Sequence, residues 1–288
     1  MNRKKDIRHL VSIFFRTLML RAGVGGVILF LLVILSCVIV LLQPDPGITL
    51  YEEPLLAPSF KHWLGTDQLG RDVLGMIMAG LCMSAFVSCA SVVFGVLLGV
   101  CLGSLAAMNQ NVFGEILSRM GDFIFAFPVL VLAVLFRQAL GYGIWPIILA
   151  IGLFNTAVFM RVTYGSSRPL WMREYVLAAF ASGKSRYLIA LQHILPNIMN
   201  VLIVQITVQL SMNILAEAAL SWLGVGIQPP TPSLGRMLME STTYYWLAPQ
   251  LVIAPASVII LIVLSLNNAG DRLRDHLDPK QNRGNWGI

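Results

Sequence analysis

Hydrophobic and polar positions divide this chain into long apolar runs separated by short polar stretches. Runs at residues 22–42, 78–107, 121–140, 145–162, 198–223 and 248–266 each approach the roughly twenty helical residues needed to cross a hydrocarbon core about 30 Å thick. An all-α integral membrane protein with six transmembrane helices is therefore expected. One stretch breaks the pattern. Residues 173–197, REYVLAAFASGKSRYLIALQHILPN, are too polar and basic for a bilayer, yet carry apolar residues at helical spacing on both sides of Gly183. The spacing predicts two short helices on the membrane surface, hinged at that glycine.

Details along the runs sharpen the expected elements. The polar, proline-bearing segment 43–76 reads as an external loop, with Thr66 or Asp67 as the N-cap of the second span. In that span Ser91, Gly95, Gly99 and Gly103 recur every fourth residue, followed by Ala107, a stripe that lets another helix approach closely. Arg119 lies in the short loop that follows. Pro128 is expected to kink or break the third span, and Arg137 near its outer end to snorkel to the headgroups. Pro196 is expected at the start of the fifth span, where its missing N–H costs little. Tyr244, Tyr245 and Trp246 sit where an interfacial aromatic belt would lie.

Composition agrees with a membrane protein. Of 288 residues, 57% are hydrophobic and 12% charged, against about 25% charged in soluble domains. The net charge of +6 is dispersed between apolar runs, which reads as a topology signal and not as a nucleic-acid footprint. Sixteen of the 20 Lys and Arg fall in segments assigned to the inner side, leaving Lys61, Arg71, Arg137 and Arg236 outside. That bias puts both termini and residues 173–197 in the cytoplasm. The expected organisation is a lead, first span and external loop over 1–77, a permease domain over 78–270, and a cytoplasmic tail over 271–288. The first span reads as uncleaved.

Several chemistries are excluded. Gly183-Lys184-Ser185 has Ala178 where a phosphate-binding loop needs its first glycine. No HExxH or GxSxG is present, and His9, His62, His193 and His276 are scattered. Cys37, Cys82, Cys89 and Cys101 fall within apolar runs without metal-ligand spacing, so no metal site is expected. Glu217 is the clear intramembrane carboxylate. Gln205, Gln209 and Asn213 precede it at four-residue spacing, and the set reads first as an interhelical or lumen-facing polar stripe, with a proton relay as the alternative. Asn155, Asn267 and Asn268 are candidates to join it. Asn155, Gln205, Gln209, Asn213 and Glu217 are the candidate translocation-path positions.

The stretch 173–197 resembles the cytoplasmic signature of permease subunits of binding-protein-dependent ABC importers, which reads EAA, three residues, Gly, nine residues, I-x-L-P. Ala178, Ala179, Gly183, Leu195 and Pro196 stand in register, while Leu177 replaces the glutamate and His193 the isoleucine. LGTDQLGRDVL at 64–74, LAEAALSWLGVGIQPPTPSLG at 215–235 and GDRLRDHLDPK at 270–280 are similar to the dipeptide, oligopeptide and nickel branch, and to its C-type subunit. The resemblance implies a non-catalytic subunit of the bacterial inner membrane. Its partners would be a homologous second permease, two ATPase subunits carrying ATP and Mg, and an extracytoplasmic binding protein. On this resemblance it would bind no cofactor itself. Glu174, Leu177, Ala178, Ala179, Gly183, Lys184, His193, Leu195 and Pro196 would form the ATPase contact, with Glu174 one turn before Leu177 supplying the acid. Peptide import is the expected function and nickel import the alternative. An ion-gradient-driven transporter or channel is the alternative of another class; it would need coupling-ion sites, and such transporters often show inverted repeats.

Overall fold

The computed structural model describes residues 33, 34, 36, 38, 53–109 and 111–277. Eight helices order these residues: α1 Val73–Met108, α2 Val112–Phe125, α3 Val129–Leu140, α4 Trp145–Ser167, α5 Glu174–Ala181, α6 Arg186–Trp222, α7 Leu234–Ser241 and α8 Gln250–Leu277. Four of them, α1, α4 (with the turn that follows it), α6 and α8, are long and apolar enough to cross a membrane; α2 and α3 together make a fifth span bent by 89°. Val33, Ile34, Ser36 and Val38 are helical. The rest of the expected first span, the basic lead, residues 43–52 and the tail from 278 lie outside the described residues.

The small-residue stripe organises the most extensive helix pair, α1 with α4. A Cβ on Gly95 would lie 2.3 Å from that of Asn155, and one on Gly99 or Gly103 would lie 2.6 Å from the carbonyl oxygen of Thr156 or Met160. Backbones meet there because side chains are absent, so van der Waals contact extends along the crossing. Residue numbers rise along α1 as they rise along α4 at these contacts, so Gly103, Met160 and Thr163 share one end of the bundle.

Helix α6 packs between α1, α4 and α8. Ser88 donates to the Leu210 carbonyl at 2.9 Å, and Ser211 donates to Asn267 Oδ1 at 2.7 Å. At the Asp72 end, Val73, Met76, Ile77, Leu234, Met237 and Leu251 form a shared core, which seats α7 against α1 and α8. A Cβ on Gly235 would fall 2.1 Å from the Ala218 carbonyl oxygen, and one on Gly80 would fall 3.2 Å from the Leu234 nitrogen. Helix α7 is wedged at small residues; its eight residues carry too short an apolar pattern to stand out in the sequence.

Four expectations are corrected. The N-cap of α1 is Asp72, whose carboxylate accepts from Gly75 N at 2.8 Å; Thr66 and Asp67 instead shape the preceding loop. Arg119 is not in a loop but on α2, which begins at Val112 because Asn111 caps it through Gly114 N. The break at Pro128 does occur, but the bent segment it parts begins at Val112 and not near 121. Arg137 does not snorkel: it donates to the Gly224 carbonyl at 2.5 Å and lies 4.4 Å from the Tyr142 ring centre, placing a cation where the carbonyls at the end of α6 concentrate negative potential.

Candidate functional site

The polar stretch folds as a 3₁₀ turn, Arg168–Met172, followed by α5, a glycine turn and the first residues of α6. Glycine is required at 183. The backbone there has φ +80°, while a Cβ would meet nothing within 4 Å, so conformation and not crowding sets the residue. Gly183 N bonds to the Phe180 carbonyl at 3.0 Å and Lys184 N to that of Ala179 at 3.3 Å, the paired closure that ends a helix on a left-handed residue. Ser185 then caps the next turn by accepting from Leu188 N.

The second half differs from a separate short helix. Residues 186–189 are α-helical, Ala190–Ile194 form a π-helical turn, and Leu195–Trp222 continue the same helix. Pro196 therefore does not start a span but sits inside one. Its ring has no N–H to give to Gln192 and would clash with that carbonyl in an unbroken α-ladder. Widening the turn, with Leu195 N bonded to the Ala190 carbonyl five residues back, accommodates it. Asn197 Nδ2 then donates to the His193 carbonyl at 2.6 Å.

Val176, Ile189 and Ile194 form a small buried cluster against Leu170, Trp171 and Ala179, which sets α5 rigidly on the base of α6. Lys184 Nζ lies 3.2 Å from His193 Nε2 and donates to Gln192 Oε1 at 3.4 Å, linking the glycine turn to the π turn. Glu174 opens α5 exposed, where a carboxylate suits the positive end of the helix. Ala178 and Pro196 are exposed, while Ala179, His193 and Leu195 are half-buried. Leu177 is 56% exposed, and Tyr175, Phe180, Tyr187 and Leu191 are exposed with it. Among the described residues, the element thus leaves several large apolar side chains exposed, with Arg173, Lys184 and Arg186 in the same stretch.

The polar stripe is brought together between helices. Gln209 Nε2 donates to Asn155 Oδ1 at 2.7 Å, Gln205 Nε2 reaches Gln209 Oε1 at 3.5 Å, and Asn213 Nδ2 reaches the Ser88 carbonyl at 3.4 Å. Gln205 is half-buried, and the other three are buried. Glu217 is fully buried. Ser84 donates to its Oε2 at 2.6 Å, and Ser221 and Ser233 donate to its Oε1 at 2.7 and 2.8 Å. Three charge-assisted donors from α1, α6 and the start of α7 compensate the carboxylate, and no ion pair among the described residues includes it. The serines were missed by sequence reading. Ser233 occupies the N-cap position of α7 yet makes no cap bond, because its hydroxyl is turned to Glu217.

At the same end, Asp67 accepts from Leu69 N and Arg71 N at 2.9 and 2.8 Å, and pairs with Arg71 at 2.6 Å. Arg71 reaches Glu240 at 3.1 Å, and Arg236 reaches Glu240 at 2.7 Å. These mostly buried groups fasten the loop before α1 to α7. His62 Nδ1 lies 3.0 Å from Asp72 Oδ1, which holds the loop on the N-cap of α1.

Residues 99–283 match the family described as binding-protein-dependent transport system inner membrane component. The glutathione transport system permease protein GsiD of Pectobacterium atrosepticum is 37% identical over 223 residues, covering 77% of this chain and 74% of that protein. GsiD of Escherichia coli O157:H7 is 37% identical over 227 residues, with the same coverage. Among solved structures, the MetNI methionine ABC transporter in inward-facing conformations has a chain that superposes with a TM-score of 0.60 at 17% identity, covering 70% of this chain and 96% of that one. That likeness carries the fold alone. Residues 99–283 include the glycine turn, the π turn, and Glu217 with its donors Ser221 and Ser233. The chain belongs to the inner-membrane components of binding-protein-dependent ABC importers, multi-pass permease subunits that are not themselves enzymes.

Proposed function

We propose that this chain is the C-type permease subunit of a peptide importer, moving di- or oligopeptides by alternating access while partner ATPases hydrolyse ATP with Mg. The observation that carries the reading is the rigid glycine-turn element, with its uncovered apolar residues Tyr175, Leu177, Phe180, Tyr187 and Leu191. An apolar helix end flanked by cations is suited to a groove on another protein. On this reading the acid comes from Glu174, and docking rests on shape around Gly183. The π turn at 190–194 joins the docked surface to the 37-residue helix α6 without a flexible linker, so a push at α5 is delivered to the whole span.

Six spans with both termini in the cytoplasm remain the proposed topology, supported by the distribution of Lys and Arg and by the helical residues Val33, Ile34, Ser36 and Val38, of which Ser36 bonds to the Met78 carbonyl of α1. A second permease, two ATPases and an external binding protein complete the proposed assembly. The relatives named for glutathione, itself a peptide, favour peptide over nickel. Co-expression of the four kinds of subunit and reconstitution in liposomes tests this. ATP-dependent uptake of labelled dipeptide well above that of nickel is expected; uptake of nickel alone, or uptake by this chain alone on an ion gradient, contradicts it.

A further inference from the structure

A polar cavity of about 580 Å³ opens between α2 and the Ser167 end of α4, within the roughly 300–1,000 Å³ typical of small-molecule clefts. Its wall carries Glu115, Ser118, Arg119 and Asp122 from one strip of α2, together with Tyr164 and Arg168. The rest of α2 has other duties. Leu117 and Gly121 are buried, packing on α4, and Ile116, Met120 and Phe123 form an exposed apolar strip. A charged strip on half of a bent membrane span is retained where it faces water or protein, not lipid. Asp122 lies beside Gly121, whose missing side chain faces Met160, so the strip reaches several residues inward from the end of α4.

Charges on this wall are unevenly committed. Glu115 and Arg119 pair with each other at 3.6 Å. Among the described residues, the Asp122 carboxylate has no hydrogen-bond or ion-pair partner, and the Arg168 side chain is held only by Tyr164, through its neutral hydroxyl and its ring. One carboxylate and one guanidinium are left facing a cleft of ligand size. We propose that this cleft is a binding site for a zwitterionic peptide leaving the permease, with Asp122 receiving its ammonium terminus and Arg168 its carboxylate. Guanidinium suits that partner because its planar fork matches a carboxylate in geometry as well as charge. The proposal rests on the peptide reading above and extends it to a position on this chain. Arg168 also opens the 3₁₀ turn that leads into α5, so the wall of the site is continuous with the element proposed to meet the ATPase.

The test uses the assembled importer in liposomes, with the native cysteines replaced and Ser118→Cys introduced. A membrane-impermeant thiol reagent is supplied on the face that carries α5, with and without millimolar dipeptide. Dipeptide with free termini is expected to slow modification several-fold, an N-acetylated, C-amidated dipeptide is expected to give no protection, and adding Asp122→Asn is expected to abolish protection. Equal rates with and without dipeptide, equal protection by both peptides, or a thiol unreactive from the start because lipid or another subunit fills the cleft would each overturn the proposal. A second measurement covers a variant that assembles poorly. With Ser118 intact, Asp122→Asn is expected to lower ATP-dependent uptake of free dipeptide several-fold while binding-protein-stimulated ATP hydrolysis persists, and unchanged uptake counts against the site. Peptide uptake by the unmodified importer is recorded alongside: its absence defeats the substrate reading, whereas its presence without thiol protection defeats this site alone.

Discussion

At the scale of single residues, Glu217 shows how much a side chain's role depends on what the fold brings to it. Its charge within an apolar run made it visible in the sequence. Its partners were not visible, since Ser84 is 133 positions away and serine is common in membrane helices. The geometry favours a fastening between α1, α6 and α7. Glu217→Gln keeps an oxygen for Ser221 and Ser233 and offers Ser84 a donor, so the expected cost is about 1 kcal/mol. Glu217→Ala leaves three buried hydroxyls without their acceptor and is expected to cost about 3 kcal/mol or more. Thermal unfolding of the detergent-solubilised importer reads the difference. A Gln variant that is stable but inactive in transport would instead favour the proton-relay alternative. Asp122 is equally a carboxylate in an apolar segment, but it stands at the edge of its run, whereas Glu217 lies well inside its own.

At the scale of elements, periodicity located the helices well where they pack and poorly where backbone geometry decides. The four-residue stripe on α1 did reveal a close helix contact. Gly99→Val is expected to force α1 and α4 apart, since even a Cβ there lies 2.6 Å from the Thr156 carbonyl oxygen. A loss of about 1–3 kcal/mol, seen as a lower unfolding temperature, is the expected outcome; an unchanged temperature would mean the contact is looser than the structure shows.

Pro196 was legible as a helix breaker but not as the cause of a π turn, because a sequence does not show whether a chain stops at a proline or widens around it. Pro196→Ala lets the i→i−4 ladder close. Removing the extra residue turns the segment before it by about 100° relative to α6, as 3.6 residues per turn requires. ATPase co-purification is therefore expected to fall while the permease still folds. Undiminished co-purification would show that the π turn does not set the docking surface.

At the scale of the whole molecule, apolar runs and charge bias conveyed a helical membrane bundle, and the motif register conveyed its family. Three things escaped that reading: the short helix α7, the start of α2 at Val112 ahead of the expected span, and the continuity of α6 through the proposed coupling surface. Each depends on contacts or local backbone geometry that hydropathy does not encode. Together they describe a bundle in which α5 and the base of α6 form one rigid lever, while the far end is tied by Glu217 and by the Arg71–Glu240–Arg236 network.

The central claim is that this lever transmits ATPase motion through the turn at Gly183. ATP-dependent uptake of a labelled dipeptide, per ATP hydrolysed, by the reconstituted importer tests it most directly when the parent protein is compared with Gly183→Val. The backbone at Gly183 has φ +80°, and an L side chain costs roughly 1–2 kcal/mol there, so uptake per ATP is predicted to fall about tenfold in the variant. Equal coupling in the two proteins would contradict the account.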